Sequence, residues 1–444
     1  MRSGSQGPLR AMFVLAFALG AMAPVQALEH DLPGVVRETL SSNPDVAEAR
    51  NQWLSRREEV RAAEGGYLPT IDLNAGIGYE HTDDPGIRAS GEDSADLTRQ
   101  ELGLNLRQML FDGWGTRSEV ARQQARTDSA AARLLSVAES TAMRATLAYV
   151  DLQRFQALQG IATESVATHK RIQGQIRLRS ESGVGRRADL DQANSRVALA
   201  EVNLVAAEVN LRDAATTFRR VVGSPPAPSN EPAEIAPNAL PTSLEQALQI
   251  AQKNNPVLQT AAADIEAARA QHEAAKQFDY PRFDFELGGN HDDNLYGTEG
   301  RVDDLSAMVR MRFNLFRGGT DSARKRATAY NISEAMDVRD RTIRQLEESI
   351  RLAWAAYQAT SAQLPLMKLR VEAAKATRAA YEKQFEIGQR TLLDVLNSEN
   401  EVIQGRESIV NATADRLLAQ YRVLEAMGAL VDHLGVAEAV VTQP

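Results

Sequence analysis

Apolar and polar residues alternate strictly in four segments of this chain, and the segments come in two neighbouring pairs. In the first, Ile71, Leu73, Ala75, Ile77 and Tyr79 share one face, with Asp72, Asn74, Gly76, Gly78 and Glu80 on the other. In the second, Leu102, Leu104, Leu106 and Leu110 oppose Gly103, Asn105 and Arg107. The third sets Phe283, Phe285 and Leu287 against Asp284, Glu286 and Gly288. The fourth sets Leu305, Ala307, Val309, Met311, Phe313 and Leu315 against Ser306, Arg310, Arg312 and Asn314. A period of two predicts strands with one apolar and one wet face. After each pair the period changes. Leu190, Ala193, Val197, Ala200, Leu204, Ala207, Leu211, Ala214 and Phe218 step by three and four. Ile343, Leu346, Ile350, Ala353 and Tyr357 do the same, continuing at Leu364, Met367, Val371 and Ala374. That spacing is a coiled-coil seam. The helical pattern from Gly115 to a break near Gly183 spans on the order of 100 Å at 1.5 Å per residue.

These elements recur because the chain is duplicated. Asn43-Pro44 returns as Asn255-Pro256, and Leu68-Pro69 as Tyr280-Pro281, both 212 residues on. Leu110-Phe111-x-Gly113 returns as Leu315-Phe316-x-Gly318, and Gly183 with Asp189 as Gly388 with Asp394, now 205 residues on. Val222-Gly223 matches Met427-Gly428 at the same shift. The first copy therefore has seven extra residues in one loop. Between the copies Pro225, Pro226, Pro228, Pro232, Pro237 and Pro241 forbid helix or central strand. The expected organisation is a signal peptide at 1–27, a first repeat at 28–223, a proline-rich linker at 224–241, a second repeat at 242–430 and a C-terminal tail at 431–444. Pro365 and its repeat partner Gly160 fall inside the helical patterns, which predicts a kink there or a helix that ends and restarts.

The N-terminus changes the setting. Arg2 and Arg10 precede and flank the apolar run Ala11–Ala23, and Val25-Gln26-Ala27 offers small residues for cleavage. Later apolar stretches are broken by charge, so a membrane span would have to be a β-barrel. Composition excludes several classes. With no cysteine there are no disulfides, thiolate metal sites or thiol catalysis. The net charge is −9, and it becomes −11 without the first 27 residues, which carry two arginines and no acids. Nucleic acid is a poor partner for such a chain.

The strand lengths suit a tilted transmembrane strand, with apolar residues toward lipid and charged ones toward a wet lumen. Tyr67, Tyr79, Phe111, Trp114, Tyr280 and Phe316 sit near the strand ends, as an interfacial girdle requires. Four strands cannot close a barrel, because single-chain barrels begin at about eight. Oligomerisation follows if the strands face lipid. The other reading is a periplasmic structural or adhesive coiled-coil protein without a pore.

With the Asn-Pro at the start of each copy, the proline opening each hairpin and the Leu-Phe-x-Gly closing it, the chain resembles the outer-membrane efflux (TolC) family. The most specific match lies in two tips, Ser182-Gly183-Val184-Gly185-Arg186-Arg187-Ala188-Asp189-Leu190 and Ile387-Gly388-Gln389-Arg390-Thr391-Leu392-Leu393-Asp394-Val395-Leu396-Asn397. The resemblance implies a mainly α protein with a small membrane β-barrel: four strands per chain, long coiled-coil helices, and a homotrimer with twelve strands. It implies outer-membrane lipid around the barrel, a periplasmic adaptor and an inner-membrane ABC or RND-type transporter as partners, and no cofactor. It also implies a gate at the periplasmic tips. Asp394 matches a ring position, Asn397 stands where the family's familiar member has a second aspartate, and Arg390 matches an arginine that pairs with the position of Asp189. Gly183, Gly185 and Gly388 would form the turns that dock the adaptor. The Arg186–Leu190 tip and Phe218–Gly223 are similar to type I protein-secretion members, which favours protein cargo slightly over drugs.

Other patterns carry little. Gly183-x-Gly185-x-x-Ala188 spells a dinucleotide fingerprint, but no βαβ unit surrounds it. The six histidines lack ligand spacing. His81 and His291 fall in loops beside Asp83, Asp84, Asp292 and Asp293, which reads as solvated loop before weak cation site. No catalytic constellation is present, so the protein reads as a passive duct and not an enzyme.

Overall fold

A computed structural model describes residues 31–226, 233–235 and 239–441. The expected signal peptide lies outside the described residues. In chain order the elements are α1 (Leu32–Ser42), α2 (Pro44–Glu64), β1 (Thr70–Thr82), α3 (Pro85–Ser90), β2 (Ala95–Phe111), α4 (Gly115–Glu181) and α5 (Arg187–Val222). The second copy gives α6 (Leu244–Asn254), α7 (Pro256–Ala275), β3 (Arg282–Asp293), β4 (Arg301–Arg312), α8 (Thr320–Glu386) and α9 (Leu392–Met427), followed by α10 (Leu430–His433) and α11 (Glu438–Val441). Five of the seven extra residues of the first copy lie in its hairpin loop, which carries α3, and the other two lengthen its pair of strands by one residue each.

The repeated motifs are helix boundaries. Asn43 and Asn255 each accept a first-turn backbone N–H, from Asp45 and Val257 at 2.9 Å, and the proline that follows occupies the first helical turn. A proline costs nothing there, because that N–H has no helical partner. Gly223 and Gly428 end α5 and α9 in the left-handed region, where a side chain would be strained.

The strands form one antiparallel sheet in the order β1-β2-β3-β4. Leu73 faces Leu104, Leu106 faces Leu287, and Leu287 faces Ala307, so the apolar residues share one face across all four strands. That face is bare: Ile77 is 79 % exposed and Leu305 83 %. Arg107, Arg310 and Arg312 lie on the opposite face, where they bridge to Glu286 at 3.5, 2.7 and 2.6 Å. The fourth strand is shorter than its alternation predicts. It stops at Arg312, opposite Arg282 where β3 begins, so Phe313 to Leu315 have no partner strand to bond.

The helices stand on one end of the sheet. α4 and α8 each run 67 residues without interruption, through Gly160 and Pro365 respectively. Neither helix ends and restarts. α5 and α9, of 36 residues each, fold back along them. The predicted seams are the buried ones: Ala193, Val197, Ala200, Ala214 and Phe218 in α5, and Ile350, Ala353, Leu364 and Val371 in α8. Near the tips the packing order is α5-α4-α9-α8; near the sheet it is α2-α4-α7-α8. β1 follows the edge helix α2, and β4 precedes the edge helix α8.

The main core lies midway along the long helices. Leu134 to Leu152 of α4 meet Trp354 of α8, Phe218 of α5 and Tyr421 of α9 there, with α1, α6, α10 and α11 around them. The end of the chain belongs to it. Val431, Val436 and Val440 are buried, and the Arg50 guanidinium donates to the Val440 carbonyl at 2.9 and 3.1 Å. Ala233 of the proline-rich segment is buried as well.

Candidate functional site: the helix tips

The two turns are built alike. Gly183 and Gly388 both have φ +79, a conformation open to glycine and disfavoured for other residues. Gly185 serves differently. Its φ is ordinary, but a Cβ there would lie 3.0 Å from the Arg179 carbonyl carbon, so it permits the close approach in which its N–H reaches the Arg179 carbonyl at 2.8 Å.

A small separate core joins the turns. Ile172, Ile176 and Ala193 of the first hairpin pack with Leu392, Val395 and Leu396 of the second, supported by Tyr381 and Phe385. Arg179 crosses between them. Its guanidinium lies 4.8 Å over the Phe385 ring and donates to the carbonyls of Phe385 and Glu386 at 3.4 and 3.2 Å. Those are carbonyls of the last turn of α8, and that of Phe385 also accepts the Gly388 N–H at 3.1 Å. Arg171 bridges to Glu382 at 2.8 Å. Neither arginine stands out in the sequence, because a basic residue on a long polar helix face reads as solvated.

The aspartates of the tips differ in their surroundings. Asp394 forms a capping box with Thr391: its carboxylate accepts the Thr391 hydroxyl at 2.8 Å and backbone N–H at 3.2 Å, and the Thr391 hydroxyl accepts the Asp394 N–H. These hydrogen bonds, with a smaller contribution from the Arg390 charge, hold its carboxyl below the ordinary aspartate range. Arg390 lies 3.9 Å from Asp394, donates to Gln384 at 3.1 Å, and covers the Tyr381 ring at 4.4 Å. At the matching place in the first tip Arg186 replaces the threonine, and α5 starts without a side-chain cap. Among the described residues the Asp189 carboxylate has no ion-pair partner. Within one chain Arg390 is thus held by its own tip and not by Asp189. Asn397 accepts an N–H from Arg196 of α5 at 3.5 Å.

His81 and His291 lie at the far end of the sheet, against Asp96 and Asp303 at 2.7 and 2.6 Å. No cluster of three metal-ligating side chains occurs among the described residues, and no described helix is long and apolar enough to cross a membrane.

An open four-stranded sheet with a bare apolar face, carried on helices on the order of 100 Å long, is the protomer of a membrane channel. The model of the outer membrane efflux protein family matches residues 35–224 and 247–429, and the chain belongs to that family of outer-membrane channels. It is 26 % identical to the outer membrane efflux protein BepC of Brucella suis over 411 residues, 92 % of this chain and 88 % of that one. It is 24 % identical to the outer membrane protein TolC of Vibrio cholerae, over 94 % and 95 % of the two chains. The proteases secretion protein PrtF of Dickeya chrysanthemi is 23 % identical over 83 % of this chain and 80 % of its own. In fold it matches the solved outer membrane protein VceC of Vibrio cholerae, with a TM-score of 0.77 at 18 % identity over 90 % and 96 % of the chains.

Proposed function

We propose that three copies of this chain form a passive exit duct through the outer membrane and periplasm, gated at the helix tips. The observation that carries this reading is that sheet and helical wall are open on the same two sides. β1 and β4 each have one unpaired edge. An unpaired strand edge in lipid costs several kcal/mol per backbone group, and an even strand count lets β4 of one copy meet β1 of the next antiparallel. The edge helices carry apolar residues that nothing in the chain covers: Leu199, Val202 and Val205 on α5, and Leu352, Leu366 and Leu369 on α8. A ring buries both sets; a pore-free coiled coil leaves the lipid-type face of the sheet without a role.

The unequal aspartates support the gate. Asp394 is committed to Thr391, whereas Asp189 is free to receive Arg390 from a neighbouring copy. Three such links would close the entrance, and an adaptor docking at the Gly183, Gly185 and Gly388 turns would break them. Energy would come from an inner-membrane transporter of the ABC or RND type. We favour protein over drug cargo on the resemblance of the first tip and of Phe218–Gly223 to secretion members, and two relatives are named for protease secretion.

Single-channel conductance in a planar bilayer tests the duct and the gate together. The wild type gives small cation-selective steps, and Arg390→Ala gives larger ones. Steps of equal size would sink the gate while leaving the duct. For cargo, deletion of the gene removes proteins from the culture medium; an unaltered secretome with new drug sensitivity would reverse that assignment.

A further inference from the structure

The repeats differ at the residue that opens each long helix. Gly318 and Gly319 precede α8 with φ +61 and +83. The matching residues before α4 are Gly113 and Trp114, with φ +68 and +63. The left-handed region is unremarkable for glycine and unusual for a bulky aromatic. The Trp114 ring is held there by edge-to-face contacts with Phe111 at 5.1 Å and Tyr280 at 4.9 Å. Phe111 stands opposite Phe283 on the apolar face of the sheet. The three rings therefore carry that face down onto the helical wall.

Directly beside them is a cleft of about 390 Å³ lined by Trp114, Tyr280, Arg117, Glu273 and Lys276. Lys276 pairs with Glu273 at 2.7 Å. Arg117 has no carboxylate partner among the described residues and is exposed. The cleft thus presents one uncompensated cation beneath an aromatic rim. It lies between α4 and α7, which are interior to the wall order α2-α4-α7-α8, so a neighbouring copy docked at the edges leaves it open.

We propose that this cleft seats the headgroup of an anionic phospholipid from the leaflet that faces the periplasm. The phosphate meets Arg117, the glycerol region passes between Trp114 and Tyr280, and the acyl chains rise along Phe111 and Phe283. Amphipathic rings prefer this boundary, and basic side chains beside it attract anionic lipid. A free phosphate would gain nothing from the rings, and a choline headgroup brings its own cation to Arg117. The inference rests on the reading that the apolar face of the sheet meets lipid.

Trp114 is one of three tryptophans, so Trp53→Phe with Trp354→Phe leaves it as the sole emitter in the full chain. This protein is reconstituted in bilayers of phosphatidylcholine and phosphatidylglycerol with brominated chains on one lipid or the other. Brominated phosphatidylglycerol should quench Trp114 with an apparent preference of about fivefold. The preference should fall to about one in Arg117→Ala and persist in Arg326→Ala, a change at an exposed arginine of α8 outside the cleft. Equal quenching by the two lipids, a preference that survives Arg117→Ala, or its abolition by millimolar inorganic phosphate would each overturn the site. Conductance of the same preparations separates the two levels: a conducting protein without lipid preference loses the site alone, and one that never inserts loses the membrane reading as well.

Discussion

Glu139 sits in the apolar seam between Leu134 and Ala142, only 7 % exposed. Its two carboxylate oxygens accept the backbone N–H groups of Leu430 and Val431 at 3.1 and 3.2 Å. Burial pushes its carboxyl up to about 7 from the ordinary 4.5, against the pull of those two hydrogen bonds. Between those values the folded protein keeps a proton that the unfolded chain releases. The contribution of Glu139 to stability is therefore full below pH 4.5, is lost as pH rises toward 7, and is level above it; the whole change is on the order of 3 kcal/mol. Glu139→Gln should flatten the thermal-unfolding midpoint across that window. Identical slopes in variant and parent would show that another group carries the dependence. Nothing in the sequence flagged this residue, because its partners lie 291 and 292 positions away. Arg390, Asp189 and Asp394 are legible in the sequence only through the resemblance of the tip motifs to a family. The pairing of Arg390 with Tyr381 and Gln384 has no such signature.

At the scale of elements the sequence was most readable where one period persists. The seam of α5 and both long helices follow from spacing alone, since burial of one stripe requires residues every three and four positions. Strand ends were less readable, because alternation continues past Arg312 while hydrogen bonding depends on where β3 begins. Pro365 was the strongest local contradiction, and α8 runs through it. A mid-helix proline leaves the carbonyl four residues earlier, that of Ser361, without its donor. The Ser361 hydroxyl is buried and has no hydrogen-bond partner. Pro365 itself is exposed, so Pro365→Ala leaves the core intact and restores one helical bond. We expect stabilisation of up to about 3 kcal/mol, read as slower amide exchange between residues 357 and 369. Unchanged exchange would mean that packing against α9 already fixes this turn.

For the whole molecule, duplication and strand count pointed to an incomplete ring, but the sequence could not say which edges meet. The fold leaves β1 and β4 as the unpaired edges of the sheet. The chain has no cysteine, so Ile71→Cys in β1 combined with Met311→Cys in β4, both near the helical end of the sheet, makes a clean probe. Mild oxidation in the membrane should give a covalent ladder that stops at three chains. A ladder that stops at two, or continues past three, would refute the trimer. The order of helices around the wall also sets how it can move. α4 and α8 pass unbroken through the level where α2 and α7 hand over to α5 and α9, so no two neighbouring joints coincide. A laminated beam with staggered joints resists bending at any one of them. By the same logic the middle of this duct is a stiff collar, and a pull on the sheet end reaches the tips as rotation of whole staves instead of being absorbed halfway along.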